Sequence, residues 1–423
     1  MRILGIETSC DETAISLIES EGDNDGKAGK ENTGFAFKVL ADNILSQIAL
    51  HREFGGVFPM MAKREHAKNI IPLLEKTLEG KDAPETKGSE LIELTDIKKE
   101  ALKRILGERE PGLLERLLNS PLFGGKESKK FKKPDIDVIA VTEGPGLEPA
   151  LWVGINFALA LSEIWEIPVV PTNHMEGHIV SSIFHDGKVE KISFPALALL
   201  ISGGHTEIVH VHEIGQYSTI GGTRDDAVGE AFDKVARLLG MPYPGGPEVS
   251  KYAELRQKEK GFEKAKYPLP RPMLSSVDLD FSFSGIKTAV LYTVKKIHGI
   301  GENPEIMEDA RKEISWEFQN AVTEVLIKKV EKAINDLGVK DLLIGGGVIA
   351  NTFIRNSFTK FAKEQNITLH LPAKSSAGDN ALMIAVAGAL KFARENERNA
   401  TADKMGAKKP AAGEIRARGG LSL

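Results

Sequence analysis

Two histidines four residues apart are the strongest sign of chemistry in this sequence. His174 and His178 bound the segment HMEGH, and on a helix this spacing places both imidazoles on one face, within reach of one metal ion. The alternative is that they are ordinary polar residues of a helix. Asp379 precedes a helical pattern near the end of the chain, where it is either the N-cap of that helix or an oxygen-donating metal ligand.

The glutamate between the two histidines argues against a peptidase. In the H-E-x-x-H pattern of zinc proteases the glutamate directly follows the first histidine, whereas Glu176 stands two positions after His174. Residues two apart on a helix do not share a face, so Glu176 is poorly placed to act as a general base beside a metal ion held by the histidines. A metallopeptidase is therefore a disfavoured alternative.

Two glycine-rich turns are candidate anion sites. Ser202-Gly203-Gly204 and Gly345-Gly346-Gly347 each follow a strand pattern, and glycine lets backbone N–H groups approach an anion closely. The second turn is predicted to open a helix, whose N-terminus favours phosphate. Phosphate or nucleotide binding is indicated, although glycines also serve tight packing and turn geometry.

An acidic residue inside a helix is a further candidate. Asp233 lies within the helical pattern from Ala227 to Leu239, where capping does not explain it, and its carboxylate can accept hydrogen bonds from ribose or substrate hydroxyls. A solvent-exposed position is the alternative. Asp225 and Asp226 precede the helix and are expected to cap it.

The strands that must position these residues form two hairpins of the same design. Each hairpin has two apolar strand patterns around a polar or glycine-rich turn, and a later strand in each half of the chain ends in glycines. The hairpin strands are Arg2 to Thr8, Thr13 to Ile18, Ala196 to Ile201 and Thr206 to Val211. This repetition predicts a duplicated fold.

Helical periodicity alternates with the strands, as in α/β folds. The helical segments are Leu147 to Trp165, Ala227 to Leu239, Ile314 to Leu337 and Ala381 to Ala393. We predict two similar α/β lobes, residues 1–193 and 194–380, with the C-terminal segment 381–423 completing the first lobe. Residues 80–134 are predicted to be an inserted helical excursion, whose lysines between 126 and 133 either meet phosphates or, as we favour, are solvated surface.

Composition sets broad limits on the function. A chain of 423 residues with 41% hydrophobic and 27% charged residues is long enough for two cores. Its single cysteine, Cys10, and the absence of a signal-like N-terminus predict a reducing, cytoplasmic setting, and no apolar run approaches the length of a membrane span. The net charge of −5 gives no global attraction to nucleic acid, so contact with RNA would need a local basic surface.

Four motifs, in order along the chain, resemble those of the TsaD type of tRNA threonylcarbamoyltransferase, in its bacterial or organellar branch. The motifs are Glu7 to Thr13 (ETSCDET), His174 to His178 (HMEGH), Ser202 to Thr206 (SGGHT) and Gly229 to Lys234 (GEAFDK). The family's fold is the duplicated, two-lobed type shared by actin, sugar kinases and heat-shock chaperones. That fold agrees with the duplicated hairpins, whereas the excursion at 80–134 has no recognised counterpart in the family.

The resemblance implies a set of ligands and roles. His174, His178 and Asp379 would hold one divalent metal ion, with iron(II) the first choice and zinc the alternative. The donor, threonylcarbamoyl-AMP, would contact the second hairpin turn and three more distant residues. These donor-contacting residues are Leu200, Ile201, Ser202, Gly203, Gly204, Asp233, Gly246 and Asn351.

The resemblance also implies the reaction and its partners. The threonylcarbamoyl group would pass to the exocyclic amine of the adenosine beside the anticodon, in tRNAs that read codons beginning with A. Asp11 or Glu12, in the first hairpin turn, would accept the proton of the amine, although a solvent-facing turn explains them equally well. A non-catalytic paralogue and a small ATPase, of the TsaB and TsaE types, are the expected protein partners.

Two further alternatives remain open on sequence alone. A sugar or acetate kinase relative with the same fold would account for the glycine turns but leaves the paired histidines unexplained. A non-catalytic scaffold in a modification complex would tolerate loss of the metal ligands, yet all three candidates, His174, His178 and Asp379, are present.

Overall fold

The chain folds into two large sheets, a small two-stranded ribbon and the helices that cover them. The computed structural model describes residues 1–21, 35–79, 91–124, 130–261, 263–298, 304–401 and 415–423. The strands within them are β1 (Arg2–Glu7), β2 (Glu12–Glu21), β3 (Ala36–Ser46), β4 (Leu91–Glu93), β5 (Lys130–Lys132), β6 (Val138–Gly144), β7 (Val169–Asn173), β8 (Phe184–His185), β9 (Lys188–Val189), β10 (Ala196–Ile201), β11 (Thr206–Glu213), β12 (Gln216–Gly222), β13 (Asp341–Gly345) and β14 (Thr368–His370).

Helices connect these strands and lie on both sheets. In chain order they are α1 (Ile48–His51), α2 (Pro59–Leu78), α3 (Asp96–Leu106), α4 (Pro111–Asn119), α5 (Glu148–Trp165), α6 (His174–Ser181), α7 (Val228–Leu238), α8 (Gly245–Lys260), α9 (Ser284–His298), α10 (Pro304–Leu337), α11 (Thr352–Gln365) and α12 (Ala381–Thr401). The helix predicted to begin at Ile314 therefore begins ten residues earlier, and the other predicted helices start within one residue of their predicted starts.

The two sheets repeat one arrangement of strands. In the first, β1 pairs antiparallel with β2 on one side and parallel with β6 on the other, and the full order is β7-β6-β1-β2-β3-β9-β8. In the second, β10 pairs antiparallel with β11 and parallel with β13, in the order β12-β11-β10-β13-β14. The predicted duplicated α/β fold is confirmed by this repetition.

The strands at the centre of each sheet are apolar because both of their faces are covered. Every residue of β6 and of β10 is buried, which is why these segments appear in the sequence as continuous apolar runs rather than as alternating patterns. Clusters of buried aliphatic and aromatic side chains fill the space between each sheet and its helices.

The last helix packs directly on the first strand. A Cβ atom added at Gly5 in β1 would lie 2.4 Å from the carbonyl oxygen of Ala381 and 2.8 Å from the Cβ of Ala385, so only glycine permits this approach. The buried residues Ile384 and Val386 belong to the same cluster as Ile3. This packing supports the prediction that 381–423 completes a lobe of residues 1–193, and the boundaries themselves stay a prediction.

The described part of the excursion at 80–134 is mainly helical. Thr95 caps α3 by accepting a hydrogen bond from the backbone N–H of Lys98, and α3 and α4 bury Leu102 and Leu117 in the cluster that contains Trp165. Strands β4 and β5 add a short antiparallel ribbon that the sequence analysis did not predict. Lys126 and Lys129 lie outside the described residues.

Among the helices that are described, none is both long and apolar enough to span a bilayer.

Two local predictions need correction. The turn of Gly345 to Gly347 opens only a short 3-10 helix, Gly347–Ala350, and the α-helix α11 starts after Asn351. Asp225 and Asp226 do not cap α7, whose N-cap position is Ala227. Their carboxylates are used elsewhere: Asp225 accepts hydrogen bonds from the start of α9, and Asp226 pairs with the Lys234 ammonium group.

Replacing the glycine under α12 tests this packing. We expect Gly5→Ala to lower the free energy of unfolding by more than about 2 kcal/mol, because its new methyl group overlaps the backbone of α12. Gly112→Ala in α4 is the matched control, since the nearest atom to its added Cβ is 3.9 Å away and alanine favours helices. Denaturant unfolding of both variants measures the difference, and equal stability would contradict the packing argument.

Candidate metal centre and cleft

The two predicted histidines lie on one short, capped helix. The side chain of Asn173 accepts hydrogen bonds from the backbone N–H groups of Met175 and Glu176 at 2.8 and 3.3 Å, which starts α6 directly after β7. The rings of His174 and His178 then lie with their centroids 4.8 Å apart, and both side chains are buried. The prediction that both imidazoles share one helix face is confirmed.

Asp379 is placed against both imidazoles. Its Oδ1 atom lies 3.3 Å from Nε2 of His174 and 3.1 Å from Nε2 of His178. It does not cap α12, because Asn380 does so by accepting a hydrogen bond from the backbone N–H of Met383 at 2.9 Å. One ligand atom from each of His174, His178 and Asp379 lies within 4.8 Å of the others. Of the two roles open to Asp379 in the sequence, the capping role is excluded.

A fourth residue, Glu7, holds the first histidine from its other side. Its Oε2 atom accepts hydrogen bonds from Nδ1 of His174 at 2.9 Å and from the hydroxyl of Thr142 at 2.6 Å, while its Oε1 accepts one from the backbone N–H of Ser9. Glu7 is completely buried at the end of β1. The sequence analysis missed this role, and the available sign was a carboxylate at the end of an otherwise apolar strand.

The charges of this group stabilise one another. Burial alone would lower the pKa of His174, but the carboxylates of Asp379 and Glu7 raise that pKa well above its usual value. Burial likewise opposes ionisation of Glu7 and Asp379, yet His174 lowers the pKa of both carboxyl groups. Burial lowers the pKa of His178. The positive charge of the protonated His174 ring therefore keeps both carboxylates ionised in the metal-free protein.

The arrangement fits a divalent metal ion. In the neutral form of His174, with Nδ1 donating to Glu7, the lone pair of the ring lies on Nε2, the atom that faces Asp379, so a metal ion bound there would take the place of the second ring proton. Two imidazole nitrogens and one carboxylate oxygen form a donor set suited to iron(II) and to zinc. His205 stands near the group, and burial together with the two neighbouring histidines lowers its pKa to about 4, so its ring is neutral and adds no positive charge.

Glu176 is turned away from the donor set, as its spacing predicted. Its Oε1 atom accepts hydrogen bonds from the Tyr217 hydroxyl at 3.0 Å and from an Arg394 guanidinium nitrogen at 3.1 Å. Tyr217 belongs to β12 in the second lobe, and Arg394 belongs to α12, which packs on the first. Glu176 therefore connects the side of α6 that faces away from the donor set to an element of each lobe. A carboxylate engaged in this way is not a general base beside His174 and His178, which argues against a metallopeptidase.

A cleft of about 1360 Å³ brings together most of the residues singled out in the sequence. Leu200 and Ile201 are the exceptions on the donor side, because both side chains are fully buried in β10 and neither lines the cleft. His178 is also buried and is not part of the lining. The predicted residues that do line it are Asp11, Glu12, His174, Ser202, Gly203, Gly204, Asp233, Gly246, Asn351 and Asp379.

The glycines of the two turns do not all have the same role: Gly203, Gly204 and Gly347 line the cleft, whereas Gly346 does not. A Cβ atom added at Gly203 or Gly204 would meet nothing within 4 Å, so the backbone of that turn faces open cleft where an anion can approach. Gly346 has φ +96°, and its added Cβ would lie 2.4 Å from the carbonyl oxygen of Ile201. Gly346 therefore serves the close packing of β13 on β10, which is the alternative that the sequence left open for these glycines.

Asp233 and Asn351 both line the cleft, and each also accepts hydrogen bonds from the backbone at the start of a helix. Asp233 accepts a hydrogen bond from the backbone N–H of Gly245 at 2.6 Å at the start of α8, and burial raises its pKa. The carbonyl oxygen of the Asn351 side chain caps α11, while its amide donates to Ser250 at 2.7 Å and to Gln319 at 2.9 Å. Ser250 and Gln319 also line the cleft, and the sequence analysis did not identify them.

The two carboxyl groups of the first hairpin turn are close to one another and partly enclosed. Asp11 is buried, and Glu12 accepts a hydrogen bond from the Ser46 hydroxyl at 3.1 Å. Burial, together with the neighbouring Asp11 and Asp379 carboxylates, raises the pKa of Glu12 to about 9. Glu12 therefore holds a proton at neutral pH in the metal-free protein and can donate a hydrogen bond.

Comparison with known families gives one consistent match. The model of the TsaD family, described as tRNA N6-adenosine threonylcarbamoyltransferase, matches residues 38–87 and 126–386 of the chain. The gap between the two matched segments falls within the predicted excursion.

Curated relatives bear the same description. The tRNA N6-adenosine threonylcarbamoyltransferase of Burkholderia pseudomallei (strain K96243) is 38% identical over 394 residues, and that of Paraburkholderia xenovorans (strain LB400) is 40% identical over 394 residues, each alignment covering 93% of both chains. The enzyme of Polynucleobacter necessarius is 38% identical over 403 residues, or 95% of both chains.

Solved structures with a similar course of the chain are more distant. Full-length HypF in its phosphate- and nucleotide-bound form is 12% identical with a TM-score of 0.49, over 94% of this chain and 46% of that one. The activator of 2-hydroxyisocaproyl-CoA dehydratase from Clostridium difficile with bound ADPNP is 13% identical with a TM-score of 0.41, over 96% of this chain and 99% of that one.

The raised pKa of Glu12 predicts a pH-dependent effect on stability. An ordinary glutamate has a pKa of 4.5, so between about 4.5 and about 9 the folded protein holds a proton that the unfolded chain releases. The stability of the wild type should therefore fall as pH rises through this window. Glu12→Gln does not titrate, so we expect it to become more stable than the wild type by on the order of 1–3 kcal/mol at pH 8, with the gain vanishing towards pH 4.5.

Chemical unfolding of wild type and Glu12→Gln across this pH range, in the presence of a chelator, measures the difference. Glu19→Gln is a suitable control, because that carboxylate pairs with Arg2 at the far end of β2. A stability difference that does not change with pH would contradict the predicted burial of the Glu12 proton.

Proposed function

Because this chain belongs to the TsaD family of tRNA N6-adenosine threonylcarbamoyltransferases, we propose that it transfers the threonylcarbamoyl group with a divalent metal ion held by His174, His178 and Asp379. Membership makes the protein a transferase that modifies tRNA.

One observation carries the metal proposal: three donor atoms, from residues up to 205 positions apart in sequence, lie within 4.8 Å of one another beside the cleft. A metal ion bound there would supply a Lewis acid for the carbonyl oxygen of the donor, and iron(II) is our first choice, with zinc as the alternative.

The donor, threonylcarbamoyl-AMP, is proposed to bind along the second-lobe side of the cleft. The open backbone of Gly203 and Gly204 suits the phosphate, because its N–H groups are not crowded by side chains. Asp233 in α7 and Asn351 at the start of α11 offer polar atoms to the adenosine portion. Leu200 and Ile201 would then act by shaping the strand that leads to the turn, since their side chains do not reach the cleft.

The proposed reaction is an acyl transfer to nitrogen. The exocyclic amine of the acceptor adenosine attacks the carbamoyl carbon, a C–N bond forms, the C–O bond to the phosphate breaks, and AMP leaves with the bonding electron pair. One proton of the amine must be removed. Asp11, which is buried and lines the cleft, is the proposed acceptor of that proton.

The remaining assignments follow from the family. The acceptor is proposed to be the adenosine next to the anticodon in tRNAs that read codons beginning with A. We also propose a cytoplasmic location and two protein partners, a non-catalytic paralogue and a small ATPase of the TsaB and TsaE types. The net charge of −5 supports a need for partners, because the chain has no general attraction for tRNA.

A reconstituted reaction tests the function directly. The chain is incubated with unmodified tRNA, threonylcarbamoyl-AMP and iron(II) or zinc, with and without the two partner proteins, and the tRNA is digested to nucleosides for mass spectrometry. We expect threonylcarbamoyladenosine, with a higher yield when the partners are present. No modified nucleoside under any of these conditions would contradict the proposed function.

Removing either imidazole tests the metal site. His174→Ala or His178→Ala is expected to abolish stoichiometric metal binding and to reduce transfer by at least about 100-fold, because two ligands do not hold the ion. His212→Ala is the matched control, since His212 is an exposed histidine of β11 away from the cleft. Elemental analysis of the purified proteins measures the metal, and equal metal content in variants and wild type would contradict the assignment.

Glu7→Gln tests the metal site with a smaller change than the removal of an imidazole. The amide keeps the shape of the carboxylate but weakens its hold on Nδ1 of His174, so metal affinity should fall about 10- to 100-fold without complete loss. Competition with a chelator measures the change in affinity. Unchanged affinity would show that Glu7 serves packing alone.

Asp233 is tested through donor binding. Asp233→Ala is expected to weaken binding of AMP about 10-fold or more, because a hydrogen bond to a charged group is lost. Glu230→Ala, on the same helix but outside the cleft lining, is the matched control. Calorimetric titration with AMP distinguishes the two, and equal affinity for AMP in Asp233→Ala and the wild type would overturn the assignment.

A further inference from the structure

The donor, placed as proposed above, leaves one side of the cleft without a ligand. The residues proposed to face the donor lie between 202 and 351, yet the cleft is also lined by a continuous surface from the first lobe. Its volume of about 1360 Å³ exceeds the roughly 300–1,000 Å³ of a typical small-ligand pocket, so a second ligand has room beside the donor. We name this surface the first-lobe wall; it is formed by Ser9, Cys10, Asp11, Glu12, Ile48 and Pro145 to Leu147.

The first-lobe wall holds two apolar side chains at the ends of the carboxylate turn. The backbone N–H of Leu147 donates to the Ser9 carbonyl oxygen at 2.7 Å, and the backbone N–H next to Ile48, that of Gln47, donates to the Asp11 carbonyl oxygen at 2.9 Å. Both Leu147 and Ile48 are half-buried and line the cleft. They therefore flank the turn that carries the two carboxyl groups.

This wall adjoins the proposed metal site. The Ser9 hydroxyl lies 3.2 Å from Nδ1 of His174, so the carboxylate turn and the first histidine are in direct contact. A ligand lying on the wall would have Asp11 on its own side and Asp379 and His174 in front of it. An amine held there would face the proposed metal ligands, beside which the donor carbonyl is proposed to bind, and would have Asp11 as a proton acceptor.

Neighbouring segments hold the wall in place. A Cβ atom added at Gly146 would lie 2.6 Å from the Ser9 carbonyl oxygen, so the turn before α5 fits tightly against the first hairpin. The C-terminal segment 415–423 covers the other side of this turn: Gly146 donates its N–H to Gly419 at 3.2 Å. The same segment reaches the cap of α6, where the Asn173 amide donates to the Ser422 carbonyl oxygen at 3.1 Å.

We propose that the first-lobe wall binds the acceptor nucleobase, with the purine ring of the tRNA adenosine lying against Leu147 and Ile48. An adenine that leaves its stack in a single-stranded loop loses stacking energy, and apolar side chains on its face offset that loss. Its exocyclic amine then lies between the Asp11 carboxylate and the metal ligands. This inference rests on the proposed function, since it names where the second substrate of that reaction binds.

The experiment separates acceptor binding from donor binding. Leu147→Ala and Ile48→Ala are expected to reduce kcat/KM for tRNA about 10-fold or more, as for the loss of one large apolar contact, with Kd for threonylcarbamoyl-AMP and metal content within about twofold of the wild type. Alanine at position 147 preserves the start of α5, because Leu147 makes no side-chain cap bond. Leu50→Ala is the matched control, since Leu50 is exposed two residues beyond Ile48 and does not line the cleft.

A second measurement locates the base directly. An anticodon stem-loop RNA with a photoreactive 8-azidoadenosine at the acceptor position should crosslink to peptides that contain Ile48 or Leu147. Crosslinks confined to residues 202–351, or variants that keep the wild-type KM and kcat for tRNA, would overturn the inference while leaving the function intact. A wild-type chain that modifies no tRNA in the presence of its partners would instead contradict the proposed function, and crosslinking to the stem-loop would still test whether the wall binds the base.

Discussion

The contact of His174 with two carboxylates, the buried Glu7 and the partly exposed Asp379, is the interaction on which the site depends. An isolated carboxylate inside a protein is strongly destabilising unless it is paired and hydrogen-bonded. Glu7 lies completely buried at the end of β1, and Asp379 lies across the ring from it, so His174 must stand between them. This requirement fixes the position of three segments, the first strand, the helix α6 and the turn before α12, relative to one another.

The last helix, α12, holds this arrangement in place through contacts with two opposite faces of α6. Asp379 and Asn380 precede α12, which therefore delivers the carboxylate to one face of α6, while Arg394 in the same helix binds Glu176 on the opposite face. The contact of α12 with Gly5 then holds this assembly on the first sheet. In the candidate metal site, the orientation of His174, His178 and Asp379 is therefore set by helix packing.

The duplicated hairpins explain why the cleft has two chemically different walls. The β1–β2 turn and the β10–β11 turn occupy equivalent places in the two sheets, yet the first carries Asp11 and Glu12 and the second carries Gly203 and Gly204. One turn therefore brings carboxyl groups to the cleft, and the other brings exposed backbone suited to an anion. A transfer reaction needs both, a proton acceptor for the attacking group and a site for the phosphate of the leaving group.

The sequence by itself determined most of the helices and strands and the paired histidines of the candidate metal site. The four-residue spacing of His174 and His178 predicted that they share a helix face, and the two-residue offset of Glu176 predicted that it points away from them. The repeated hairpins predicted the duplicated fold. Each of these predictions depends on local periodicity, which the sequence shows directly. Local pattern could not place Asp379, which precedes a helix as a cap would, nor show that Gly346 serves packing while Gly203 faces the cleft. It also gave no role to Glu7 or Leu147. Only the tertiary structure decided these points, because distances between residues far apart in sequence are set by how helices and sheets pack, and packing is a property of the whole chain.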